Sequence, residues 1–193
     1  MTSFPLTGAI LAGGQSLRMG QPKEGVVMPD GRQMIEHLIE PLSQVCKQIV
    51  IVGACRGFII RPESALLHLP DTTPGMGPLA AIAALLQSGI DKDGYIVSAC
   101  DQPYITADLL RLLAQKSSDL PSILQPIEGE ILTPFPGYYP VLWLLEIEKQ
   151  LQAGERSICR ALQESRVTYI PFPKEWKGSL RNLNTPTDLL QTS

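Results

Sequence analysis

Histidine and cysteine are scarce in this chain, with two of the first and four of the second in 193 residues. Cys46, Cys55, Cys100 and Cys159 stand far apart, with no C-x-x-C pair and no histidine at metal-ligand spacing. That excludes a zinc cluster and a disulfide-stapled scaffold, and the thiols read as reduced. A basic excess is missing too. Sixteen Lys plus Arg against nineteen Asp plus Glu leave a net charge of −3, so no positive field favours nucleic acid. No window approaches about 18 uninterrupted apolar residues, and no Lys or Arg precedes the first apolar stretch as a secretory signal requires. The expectation is a cytoplasmic protein with no membrane segment. Neither G-x-x-x-x-G-K-[ST] nor G-x-G-x-x-G is present, which removes the two commonest phosphate-loop signatures. With no repeat, low-complexity tract or long linker, residues 1–193 are expected to form one domain.

What is present is an alternation of short apolar runs with helical patterns. Thr7 to Leu11, Gln48 to Val52, Leu66 to Leu69, Tyr95 to Ala99, Ser122 to Ile127 and Val167 to Ile170 read as buried strands. Ile35, Leu38, Ile39 and Leu42 repeat at helical spacing, and Leu79 to Leu86 is apolar on every face, which predicts a central helix. Thr106 followed by Asp108 caps a helix running to about Leu113, and Thr185, Pro186 and Asp188 open a closing helix. Pro140 begins an amphipathic segment through Leu151. Strands alternating with helices predict an α/β, Rossmann-like doubly wound fold, mostly parallel, with helices on both faces.

In such sheets ligands bind beyond the carboxyl ends of the strands, and three exits stand out. The first is ILAGGQSLRMGQPK, residues 10–23, where Gly13, Gly14 and Gly20 bare the backbone and Arg18 and Lys23 add charge. This is either a phosphate cradle or a glycine turn with solvated cations. The second is Ser98-Ala99-Cys100-Asp101-Gln102-Pro103. A carboxylate at a strand end, followed by proline, is a metal ligand or a turn cap. Cys100 is read as a core residue, because nothing beside it lowers its pKa. The third exit, Asp71 to Leu79, is a Pro/Gly loop that either wraps a base or simply joins strand to helix.

Together, LAGGQSLRMGQPK, DTTPGMGPLAAI, CDQPYI and RNLNTPTDL resemble the molybdenum cofactor guanylyltransferases, in order and spacing, from about Gly8 to Leu190. The resemblance implies transfer of GMP from GTP to molybdopterin with Mg²⁺ and release of pyrophosphate. It implies that Leu11, Ala12, Gly13 and Gly14 bind nucleotide, that Lys23 contacts its phosphates and that Asp71 lies in the nucleotide site. Asp101 would bind Mg²⁺ and nucleotide, Asn182 and Asn184 would lie toward molybdopterin, and Arg18 fits a further phosphate contact. Other proteins of molybdenum cofactor biosynthesis, or acceptor proteins, would be its transient partners.

Gly13 resembles the guanylyl branch, whereas an alanine there resembles the cytidylyl enzymes that act on the same pterin. A nucleotidyltransferase for sugar phosphates and a non-catalytic nucleotide carrier are the remaining alternatives. Departures from the family pattern are Gly53, where asparagine is frequent at the exit Val52 to Cys55, Ala81 in place of glycine, and Lys23-Glu24-Gly25 in place of apolar residues. Tyr138, Tyr139 and Trp143 are expected to pack rather than stack on a pterin, and Arg156 either meets an acceptor phosphate or is solvated. His37 and His68 are expected on the surface or in the core, without a catalytic role.

Overall fold

Alternation of side chains along the central strands builds two cores, one on each face of a single sheet. The computed structural model describes residues 4–13, 19–62, 64–71, 75–116, 118–126 and 132–190. Its strands are β1 (Phe4–Leu11), β2 (Cys46–Val52), β3 (Leu66–Leu69), β4 (Gly94–Ala99), β5 (Ser122–Leu124), β6 (Gly137–Pro140) and β7 (Thr168–Ile170). The helices are α1 (Glu36–Ser43), α2 (Gly77–Gln87), α3 (Ala107–Gln115), α4 (Leu144–Gln152), α5 (Ile158–Gln163) and α6 (Pro186–Leu190). Successive strand residues face opposite ways. Ala9, Val50, Val52, Tyr95 and Val97 therefore pack with Leu79, Ile82 and Leu85 of α2 and Ile147 of α4. Ile10, Ile49, Ile51 and Ile96 go to the other side, with Leu38 and Leu42 of α1 and Leu110 of α3. Burial on both faces is why these strands read as unbroken apolar runs.

The strand order is β3-β2-β1-β4-β6-β5-β7. All neighbours are parallel except β6, which runs antiparallel to β4 and β5. The chain thus has the doubly wound, mostly parallel α/β fold. Among the described residues, no helix is long and apolar enough to cross a membrane. Thr106 caps α3 as expected, its hydroxyl accepting the Leu109 N–H at 3.4 Å.

One element corrects the sequence reading. Pro140 does not begin the helical segment; it ends β6 and precedes a 3-10 turn, Val141–Trp143, that leads into α4. Burial decides this: Tyr138 enters one core and Tyr139 the other, where it stacks on Trp143 with ring centroids 5.5 Å apart. These aromatics are packing residues. β5 ends at Leu124, short of the expected Ile127, which lies outside the described residues.

The order reverses at β1, with β2 on one side and β4 on the other, and that is the topological switch point. Leu11 is level with Val52 of β2 and Ala99 of β4, so the loops after all three strands leave the sheet side by side.

At the opposite end of the sheet the buried Asp91 accepts the Thr7 hydroxyl at 2.7 Å and pairs with Lys47 at 3.1 Å. Burial pushes its carboxyl up, but the Thr7 hydroxyl, the Asp93 N–H and Lys47 outweigh this and hold it below its ordinary value. A carboxyl depressed by folding contributes stability that is complete above the unfolded pKa of about 3.9 and is lost as pH falls through the folded value. Urea midpoints of the wild type and Asp91→Asn should therefore differ most near neutrality and converge below about pH 4. A gap that stays constant across that range would reject the assignment.

Candidate active site

The exits of the central strands are stitched together one residue beyond the sheet. Ala12 N–H donates to Val52 O at 2.7 Å, Cys100 N–H to Leu11 O at 3.2 Å, and Gly53 N–H to Leu69 O at 2.9 Å. The rim that carries Ala12, Gly13, Gly53 and Asp101 is therefore held by backbone bonds. Gly13 is exposed on it, Ala12 is buried just beneath, and Asp71 is exposed two residues past the end of β3. Gly14 and Arg18, like Thr72, Thr73 and Pro74, lie outside the described residues.

Lys23 opens a short 3-10 turn, and its ammonium reaches across the switch point. It donates to Asp101 Oδ2 at 3.0 Å and to Asn184 Oδ1 at 2.6 Å. Three segments distant in the chain thus meet at one cation, with the Lys23 and Asp101 side chains 17% and 21% exposed. That is buried enough to strengthen the pair and open enough to meet a ligand.

Each partner is anchored from behind. Asp101 O accepts the Leu183 N–H at 2.8 Å, and Leu183 is buried among Met19, Val26, Met28 and Met34. Asp188 Oδ2 accepts the N–H groups of Asn184 and Thr185, each at 2.8 Å, and the Thr185 hydroxyl accepts the Asp188 N–H in return at 3.3 Å. The Asn184 and Thr185 N–H groups hold the Asp188 carboxyl below its ordinary range. The exposed Asn182, on the other side of the buried Leu183, does not join the Lys23 junction.

Gln102 is a site-supporting residue that sequence reasoning missed. Buried beside Asp101, its amide donates to Phe135 O at 3.0 Å and Leu180 O at 3.4 Å, tying the Asp101 turn to two other segments. Its place after Asp101 in CDQP is the one sequence signal that could have drawn attention to it. Cys100 is inert as expected: burial first, then the charges of Asp101 and Glu24, push its thiol up to about 12. His37 lies near Asp30 at 3.2 Å, and His68 bonds Gly53 O at 2.9 Å, neither at the junction.

Among the described residues no three His, Cys, Asp or Glu side chains cluster to form a metal cage. The part-exposed carboxylate of Asp101 is an oxygen donor of the kind that suits a divalent cation.

Comparison with known proteins identifies the family. The MobA-like NTP transferase domain matches residues 8–167. The chain belongs to the MobA-like NTP transferase family. Among its relatives are the probable molybdenum cofactor guanylyltransferases of Carboxydothermus hydrogenoformans, 34% identical over 95% of this chain and 92% of that protein, and of Rhodopirellula baltica, 31% identical over 96% and 90%. Molybdopterin-guanine dinucleotide biosynthesis protein A from Archaeoglobus fulgidus superposes with a TM-score of 0.74 at 27% identity, covering 96% of each chain.

Membership makes this MobA-like chain a nucleotidyltransferase, and its departures from the family pattern then take on structural meaning. Ala81 lies in α2 and packs against the core, so its methyl group fills helix contacts. Gly53 holds φ +116°, and a Cβ there would stand 1.7 Å from Ala12 O. No side chain fits while β1 and β2 exit this close together. Arg156 is exposed, and its backbone carbonyl lies 3.1 Å from where a Gly77 Cβ would be, which places its segment against the start of α2.

Proposed function

We propose that this chain transfers GMP from GTP to the terminal phosphate of molybdopterin and releases pyrophosphate, in line with the guanylyltransferase names of its relatives. The observation that carries this reading is the junction of Lys23, Asp101 and Asn184 at the switch point of a MobA-like fold. An oxygen of the acceptor phosphate bonds to the α-phosphorus of GTP, and the bond from that phosphorus to the departing pyrophosphate breaks. The acceptor is already anionic, so the demand falls on positioning and charge rather than on a general base.

In this reading Lys23 offsets triphosphate charge, with Arg18 as a second phosphate contact. Leu11, Ala12, Gly13, Gly14 and Asp71 hold the nucleotide, and glycine at 13 leaves room for a purine. Asn182 and Asn184 lie toward the acceptor, Asn184 also steadying Lys23. Asp101 would hold Mg²⁺, which when bound would supply charge neutralisation to the reacting phosphates. The whole chain acts as one nucleotidyltransferase domain, and the free state of its four cysteines suits the cytoplasm.

The test is incubation of the purified protein with molybdopterin, Mg²⁺ and GTP, CTP or ATP in parallel, following pyrophosphate and nucleotide incorporation. GMP transfer that a chelator abolishes is expected. Preference for CTP would assign the cytidylyl branch, transfer only to a sugar phosphate would assign that class, and nucleotide binding without turnover would leave a carrier. Lys23→Ala should lower kcat/KM for GTP by about 100-fold, the loss of a charge-assisted contact. A wild-type value would reject its phosphate role.

A further inference from the structure

Glu24 follows the junction lysine, is 2% exposed, and has no part in the chemistry above. A buried carboxylate is costly unless it is bonded. Its Oε1 accepts the Gly57 N–H at 3.1 Å, across 33 residues of chain. The same loop is held a second time: Gln33 Nε2 donates to Gly57 O at 3.1 Å and reaches Gly25 O at 3.5 Å. Backbone packs on backbone here, since a Cβ on Gly25 would lie 2.3 Å from Gly57 O. The loop fastened in this way begins at Gly53, passes Ala54, whose N lies 3.4 Å from a Cβ placed on Gly13, and includes Cys55 at φ +41°. Glu24 also faces that loop electrostatically. After burial, its charge is the next cause pushing the Cys55 thiol up to about 11.

The loop after β2 is therefore one wall of the rim beside Gly13, and the turn carrying Lys23 is another. We infer that Glu24 is a positioning residue that clamps the loop 53–57 to the Lys23 turn through Gly57 N–H, and so preorganises both walls for the nucleotide. This rests on the nucleotidyltransferase reading above and adds to it a residue outside the phosphate contacts. Preorganisation means that the rim orders without the nucleotide having to supply that free energy. The clamp is carried by an accepted hydrogen bond, so an amide oxygen at the same place serves and a methyl group does not.

The test uses the full chain in three variants, Glu24→Ala, Glu24→Gln and Gln33→Ala. Hydrogen exchange at the Gly57 amide and titration with GTP and Mg²⁺ are measured alongside GMP-transfer kinetics. Glu24→Ala should speed Gly57 exchange and weaken GTP binding, each by about tenfold or more, with a smaller fall in kcat. Glu24→Gln should restore both to near wild type. Gln33→Ala, which leaves the buried carboxylate in place, should shift both in the same direction by less, and it supplies the answer if Glu24→Ala fails to fold. Unchanged Gly57 exchange, unchanged GTP affinity despite faster exchange, or a Glu24→Gln variant as impaired as Glu24→Ala would each overturn the clamp. Wild-type protein that neither binds nor uses GTP would instead overturn the functional reading, while the exchange measurement still judges the clamp.

Discussion

Asp101→Ala should lower GMP transfer by about 1,000-fold, the scale on which losing one preorganised electrostatic group acts on a transition state. The fold should survive. The backbone carbonyl of Asp101 still receives Leu183 N–H at 2.8 Å, and Gln102 still ties the turn to Phe135 and Leu180. Only the carboxylate goes, and with it the 3.0 Å partner of Lys23 and the one oxygen ligand assigned to Mg²⁺. Lys23 keeps its 2.6 Å bond to Asn184, so GTP capture without metal should fall less than turnover. Asp101→Asn isolates charge from shape: it keeps an oxygen in place and should be nearly as inactive. Steady-state kinetics across Mg²⁺ concentration, with thermal melting as the fold control, decide the matter. Turnover within a few-fold of wild type in either variant would remove Asp101 from the site.

Gly53→Ala should be the most damaging methyl group that can be added to the rim. At φ +116° an L side chain is strained, and its Cβ would meet the Ala12 carbonyl at 1.7 Å, a contact with backbone that no rotamer relieves. Strain and overpacking together predict a loss of about 3–5 kcal/mol, a large share of a typical domain stability of about 10 kcal/mol. The β1 and β2 exits would have to part, breaking the Ala12–Val52 bond of 2.7 Å, and the Gly13 loop would move with them. Urea unfolding measures the stability and GTP titration the site. A loss below about 1 kcal/mol would mean that the two exits separate easily, and the rim would then not be rigid.

These two residues were not equally legible. Asp101 stands at the end of an apolar strand and Lys23 at the end of a glycine-rich loop, positions that local pattern marks as ligand-facing before any packing is known. Gly53 was visible only as a departure from its family, because the close approach that demands glycine belongs to a carbonyl 41 positions away. Glu24 was similarly opaque: a glutamate reads as solvated until another loop is found lying over it. β6 was missed for a related reason. Its four residues begin with glycine and end with proline, and only the place waiting for it between β4 and β5 makes it a strand.

The sequence by itself determined the α/β class, the central strands and their two-faced burial, the helix starts at Thr106 and Thr185, and the two chemically charged exits. All of these follow from interactions between residues near in sequence or from a periodicity of two or 3.6. Only the tertiary structure decided that Asn184 meets Lys23 across 161 residues, that Gln102 and Glu24 are buried fasteners, and that β6 is inserted antiparallel. Side-chain partners brought together by chain closure leave no local trace, since the free energy that selects them exists only once the sheet has formed.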